Sequence, residues 1–176
     1  MVEEDLLTLS TRRQLYDAVR RFPGIGAREA QRIAQTGWGE TVYHLDRLTE
    51  AGLLHRERAG HQDHYFAPTV PLADRRLLRL ARSESARHLL VALLETPGST
   101  VPNLVERTRL SPGRLSVHLG RLLESGVLHT GRNGRFRTFD LVDRDQVVRL
   151  LLTYRESLAD QWVEGVLETW SELFRT

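Results

Sequence analysis

Tyr43-His44-Leu45-Asp46-Arg47-Leu48-Thr49-Glu50-Ala51-Gly52-Leu53-Leu54-His55 returns 74 positions later as Val117-His118-Leu119-Gly120-Arg121-Leu122-Leu123-Glu124-Ser125-Gly126-Val127-Leu128-His129. Eight identities fall within the twelve residues 44–55. Extended in both directions without a gap, residues 13–60 overlie 87–134 with 16 identities in 48 positions. A unit of this size present twice is a duplicated small domain, because a solenoid needs three or more shorter repeats. Within the later copy Leu115, Leu119, Leu122 and Leu123 fall on one helical face. Ser125-Gly126 ends that helix, glycine supplying the left-handed cap.

Working outward, Ala86 to Glu95 carries Leu89, Leu90, Leu93 and Leu94 at helical spacing, with Ser85 as the N-cap, and Thr96-Pro97-Gly98 ends it. Val101 to Arg109 is a second helix with Leu104 and Val105 inward. Leu110-Ser111-Pro112 is a turn that restarts the chain: serine caps and proline takes the first helical position. After Gly126, Val127–Phe139 reads as a hairpin, with Asn133-Gly134 as a type I′ turn and Arg135-Phe136-Arg137 alternating as a strand with one wet face. Helix, helix, turn, helix and hairpin is the order of a winged helix-turn-helix. The first copy repeats it: helices Arg12–Phe22, Ala27–Gln35 and Glu40–Ala51, then a hairpin Leu53–Phe66 turning near Ala59-Gly60. Pro68 and Pro71 stop that hairpin, and a basic helix around Ala73–Arg82 links the copies.

The expected fold is therefore mainly α with small β-hairpins (α+β). It comprises a first winged helix at 10–70, a linker helix at 71–84, a second winged helix at 85–142 and a C-terminal helical segment at 143–176. The 176 residues suit two small domains and an addition. With no cysteine, a disulfide framework, a thiolate metal site and a cysteine nucleophile are excluded. No apolar run reaches membrane-spanning length, and Met1-Val2-Glu3-Glu4-Asp5 lacks the basic and apolar regions of a signal peptide, so a cytoplasmic, nucleoid-associated location is expected. No Ser/His/Asp set, paired acids or phosphate loop stands out; no catalytic residue, metal or cofactor is expected. His61-Gln62-Asp63-His64 contains ligand types, but strand alternation separates His64 from the other two, and a solvated wing is the expected reading.

Net charge is +2, distributed as −3 over 1–10, +2 over 11–70, +3 over 71–82, +3 over 83–142 and −3 over 143–176. Every basic residue is arginine, which suits bidentate phosphate and guanine contacts. In a winged helix the third helix enters the major groove and the hairpin follows the backbone. Turning 100° per residue, the second copy directs Gly113, Arg114, Val117, Gly120, Arg121 and Glu124 away from its leucines, with Ser116 and His118 at the margins. The wing adds Arg132, Asn133, Arg135 and Arg137. The first copy offers Glu40, Tyr43, Asp46, Arg47 and Glu50, and its wing mixes Arg56 and Arg58 with Glu57 and Asp63. Carboxylates repel phosphate, so the second copy is expected to be the main reader, with weaker contacts from Tyr43, Arg47 and Arg58. His44 and His118 share one helix position at the core's edge, divided between packing and contact with DNA; Tyr43 is divided between packing and stacking.

From Asp143 the chain turns acidic and helical. Val147, Leu151, Tyr154 and Leu158 step by four, three and four, followed by Trp162, Val166, Trp170 and Leu173. Ser157 to Asp160 reads as a new capping box, placing a break near Arg155–Ser157. The stripe either covers the chain's own cores or forms a dimer seam, and dimerisation through Leu151, Tyr154, Leu158, Trp162, Val166, Trp170 and Leu173 is the expected use.

The run Phe22-Pro23-Gly24-Ile25-Gly26-Ala27-Arg28-Glu29, then Thr41 to Leu54, resembles the first half of tandem winged-helix transcriptional regulators common in archaea, relatives of the ArsR and MarR groups. Leu110 to Leu119 resembles their second recognition helix, and Asp143-Arg144-Asp145 with Tyr154-Arg155-Glu156-Ser157 and Asp160 their C-terminal segment. The resemblance covers about residues 12–174. It implies a regulator that binds double-stranded DNA, with Ser111, Arg114, Ser116, Val117, His118 and Arg121 as the base-reading set. Ala30 and Ala34 depart from the larger apolar residues usual there, and Gly37-Trp38-Gly39 is an unusual turn. Thiolate metal sensing does not carry over. Two other readings fit tandem winged helices: an architectural, sequence-tolerant DNA binder of the nucleoid, and an interaction subunit of a chromosome-condensing complex.

Overall fold

The computed structural model describes residues 9–158, and the chain divides into two compact units between Arg79 and Leu80. In the first, α1 (Ser10–Arg21), a short strand β1 (Ile25–Gly26), α2 (Ala27–Ala34) and α3 (Trp38–Glu50) precede the hairpin β2 (His55–Ala59) and β3 (Gln62–Phe66). Helix α4 (Leu72–Ala81) crosses the division. The second has α5 (Glu84–Glu95), β4 (Ser99–Thr100), α6 (Val101–Thr108), α7 (Pro112–Glu124), β5 (Leu128–Asn133) and β6 (Phe136–Leu141), then α8 (Arg144–Thr153) and α9 (Arg155–Leu158).

The 74-residue offset holds in the backbone. Helices α1, α2 and α3 start and stop 74 positions before α5, α6 and α7. Gln35 and Arg109, 74 apart, both end the second helix in the left-handed region, at φ 53° and 55°. Gly52 and Gly126 both leave the third helix at positive φ (73° and 72°), where a Cβ would strain the turn. There the amides of Leu53 and Val127 bond back to the carbonyls of Leu48 and Leu122.

Each hairpin gains a third strand that periodicity cannot show: Ile25 pairs with Tyr65 and Ser99 with Phe139, giving the orders β1-β3-β2 and β4-β6-β5. The first core gathers Leu15, Val19, Ile25, Leu45, Leu48 and Leu54 around Ala30 and Ala34. The second buries Leu89, Leu93, Leu104, Leu115, Leu122 and Phe139. Ser111 caps α7, accepting from the Arg114 amide, with Pro112 in the first turn as expected.

Three local expectations are corrected. Ser85 does not cap α5; the cap position is Ser83, with no side-chain bond, and Ser85 lies buried inside the first turn. The second wing turns at Gly134-Arg135 rather than Asn133-Gly134, because Asn133 still pairs with Phe136. Gly134 has φ 59° and Arg135 does not share that sign, so glycine occupies the first loop position of a type II′ turn rather than a type I′ one. Phe136 is 51% exposed and faces away from the core, whereas Arg137 continues the inner face of Phe139 and Leu141, because the wing overhangs the core.

Asp143 caps α8 by accepting from the Gln146 amide, and Arg144 donates to the last carbonyls of α5, Leu93 and Leu94. The expected break comes at Tyr154, one residue earlier than placed. Leu151 and Leu158 are 0% and 1% exposed and so are already covered within the chain, while Tyr154 is half-buried. These two leucines are interior positions, not open seam. Trp162, Val166, Trp170 and Leu173 lie outside the described residues.

Candidate nucleic-acid interface

Helix α7 holds its leucines inward, so the opposite side is fixed by geometry. Ser111, Gly113, Arg114, Ser116, Val117 and Arg121 are all exposed, Val117 by 52%, and His118 is half-buried beside them. Burial first, then the neighbouring guanidinium groups of Arg121 and Arg114, holds the His118 imidazole below its ordinary pKa. Arg114 does not swing freely: its Nη2 donates to Ser85 Oγ at 3.1 Å. The buried serine thus steadies an arginine at the start of the reading helix, a positioning role hidden from sequence because Ser85 resembles an ordinary cap.

The wing adds cations without counter-charges among the described residues. Arg132, Asn133, Arg135 and Arg137 are exposed, and Arg132 pairs in register with Arg137 on the neighbouring strand. Like charges directly opposite on a hairpin are unfavourable unless an anion joins them. Neither makes an ion pair among the described residues. Arg135 and Arg137 lie over the rings of Phe136 and Phe139 at 5.0 and 5.3 Å, which orients them without neutralising them. Sequence reasoning missed two further exposed groups, Arg109 in the turn ahead of α7 and Phe136 at the wing tip. The arginine was hidden because only the backbone reveals its left-handed conformation, and the phenylalanine because alternation assigned it inward.

The equivalent face of the first unit is differently made. Arg47 pairs with Glu50 at 3.0 Å, Arg56 with Asp46 at 2.7 Å, Arg58 with Asp63 at 3.9 Å and Arg75 with Glu57 at 3.3 Å. Arg75 is buried, but the other three arginines are exposed; exposed pairs of this kind stabilise little, yet they cancel charge that would otherwise meet a phosphate. Asp63 and Arg58 occupy the register held by Arg137 and Arg132 in the second wing. Tyr43 is 57% exposed, with its ring edge-on to His44. His44 itself is buried, its Nδ1 accepting from Arg12 Nε at 3.4 Å. Trp38 carries the Arg28 guanidinium on its ring at 4.2 Å, in the place that Pro112 has in the second copy. No cluster of three or more His, Asp or Glu suited to a metal occurs among the described residues, and His64 is engaged with the Gly24 carbonyl at 2.8 Å.

Residues 9–78 match a family described as an N-terminal HTH domain, and residues 82–128 one described as winged helix-turn-helix DNA-binding. The chain carries two helix-turn-helix domains in tandem. A relative from Methanocaldococcus jannaschii, an uncharacterized HTH-type transcriptional regulator, is 24% identical over 132 residues, which is 75% of this chain and 33% of that protein. The chain thus spans about a third of that relative's length. Among solved structures, reduced HlyU from Vibrio cholerae is 26% identical with a TM-score of 0.40, covering 46% of this chain and 83% of that one. A Corynebacterium diphtheriae protein is 15% identical with a TM-score of 0.31, covering 79% of this chain and 27% of that one. No described helix is long and apolar enough to cross a membrane.

Proposed function

We propose that the chain is a sequence-specific, DNA-binding transcriptional regulator whose second winged helix is the main reader of the major groove. The supporting observation is the contrast in counter-charge: the second unit displays Arg121, Arg132, Arg135 and Arg137 without carboxylate partners among the described residues, whereas Arg47, Arg56 and Arg58 of the first are paired. In this reading Arg114 and Arg121 reach guanine edges or phosphates, Val117 meets a thymine methyl, and Ser111, Ser116 and His118 flank them. Arg132, Asn133, Arg135 and Arg137 follow the sugar-phosphate backbone. The chain works as a homodimer on half-sites about one helical turn, roughly 34 Å, apart, paired through the C-terminal segment bearing Trp162, Val166, Trp170 and Leu173. It acts in the cytoplasm on the nucleoid and performs no catalysis.

Selection of bound duplexes from a random pool tests this directly. Enrichment of one motif supports a regulator; even recovery with a steep salt dependence makes the protein architectural; no recovery leaves the partner-binding reading. Light scattering at micromolar concentration checks the dimer, and a monomer mass would remove it.

A further inference from the structure

The two copies differ in what fills the space between the recognition helix and the inner face of the wing. In the first, Asp46 on α3 accepts from Arg56 of β2 at 2.7 Å, and Arg56 stands opposite Tyr65 of β3 in register. The chain's own carboxylate therefore sits between helix and wing. In the second, the corresponding positions are Gly120, Thr130 and Phe139: the acid, its guanidinium and the phenol are all gone. A groove of about 350 Å³ lies beside two of these positions, Gly120 and Phe139, and extends past Ser116 to Pro112 and Val101. Its wall is Leu119, Leu123 and Phe139, with Ser116 and Arg137 as its polar groups, and a Cβ added at Gly120 would meet nothing within 4 Å. The lining is more apolar than polar, with few polar groups to fix the orientation of a ligand.

We propose that this groove binds a small organic monocarboxylate with an apolar body. The carboxylate takes the place that Asp46 holds in the first copy, accepting from the Arg137 guanidinium and the Ser116 hydroxyl, while the body packs on Leu119, Leu123 and Phe139. Charge complementarity selects the ligand class: Arg137 is an exposed cation with no carboxylate partner among the described residues, above an apolar floor. An uncharged ligand would leave it unused, and a larger polyanion would not fit the floor. The regulatory consequence rests on the DNA-binding reading above. A ligand held by Arg137 removes one wing cation from phosphate, so occupancy releases DNA.

The test uses the full chain without DNA, titrated with phenylacetate and hexanoate and followed by amide NMR. Saturable shifts at Ser116, Gly120 and Phe139 are expected, with a Kd of roughly millimolar or below. 2-Phenylethanol, with the same body and no charge, should bind at least about tenfold more weakly, as loss of a charge-assisted hydrogen bond requires. Arg137→Gln should weaken phenylacetate similarly, Gly120→Asp should abolish it, and Arg135→Gln at the wing tip should leave it unchanged. If neither acid produces saturable shifts in the wild-type groove, or 2-phenylethanol binds as well as phenylacetate, the proposal is overturned. Duplex binding is measured separately without ligand. A chain that binds phenylacetate but no duplex keeps the groove and loses the DNA reading; one that binds duplex with an unresponsive groove does the reverse.

Discussion

The two winged helices share a backbone and differ in their exposed side chains. Positive-φ positions, helix ends and strand register recur at an offset of 74, including the uncommon left-handed Gln35 and Arg109. On the outside, Glu40 stands where Arg114 does, Asp46 where Gly120 does, and Asp63 where Arg137 does. A buried leucine stripe with a glycine exit suffices to specify the unit. What the unit can bind is written in positions that the fold leaves unconstrained.

Equivalence of the cores supplies the largest expected effect. Leu48 and Leu122 are fully buried at matching positions, so Leu48→Ala and Leu122→Ala should each cost about 2–5 kcal/mol of their own unit's stability. Denaturant unfolding of each variant checks this, and a cost confined to one copy would break the equivalence. The surfaces should respond unequally. Reversing Arg132 and Arg137 together to glutamate should weaken duplex binding roughly 100-fold, equivalent to about 2.7 kcal/mol. The same change at Arg47 and Arg58 should matter only a few-fold, because those arginines already face Glu50 and Asp63. Anisotropy titrations at one fixed salt concentration decide it; equal losses would make both copies readers.

A finer difference separates the base-reading helix from the wing. Arg121→Ala should cost about 1–3 kcal/mol at one base position if it contacts a base edge. Removing Arg135 and Arg137 should instead weaken all duplexes alike and flatten the slope of log K against log salt by roughly 1.8, about 0.9 for each phosphate released. An unchanged slope would take the wing off the DNA. Ser85→Ala, which unties Arg114 without touching the outer face, should blur base preference less than Arg114→Ala does.

How legible each part was follows from how local its signal is. The repeat, the leucine stripes, the Ser111-Pro112 restart and the Gly126 exit are written within a few residues of where they act, and the fold has them so placed. Strands β1 and β4 were not legible, because two residues have no period and their partners lie about forty positions onward. Phe136 was assigned inward because alternation cannot tell where a wing leaves its core. The C-terminal stripe was visible as a stripe, yet nothing in it says that Leu151 and Leu158 are covered by their own chain. The groove was the least legible feature. It depends on the side chain Gly120 does not have, and matters only once α7 lies against β6.

Acid offers the subtlest separation of the copies. Burial lowers the pKa of His44 and His64 in the first unit and of His118 in the second. Each is bound less tightly to its proton when folded than when unfolded, where a value near 6.5 applies. Unfolding therefore takes up protons below about pH 6.5, and the stability that neutral imidazoles contribute, complete above that point, is lost as pH falls through the folded values. His44 suffers twice, since protonation removes the Nδ1 acceptor used by Arg12 and sets a second cation beside that buried guanidinium. His118 has no such buried neighbour; its cations, Arg114 and Arg121, are exposed. The first unit should thus lose stability sooner as pH falls below about 6.5, and His44→Gln should remove part of that dependence while His118→Gln leaves it. Duplex binding should run the other way: phosphate favours the protonated His118, so affinity should rise modestly on acidification through its free value and lose that rise in His118→Gln. If His118→Gln binds duplex with the wild-type pH dependence, His118 is a packed residue like His44, and the reading face ends at Arg114, Val117 and Arg121.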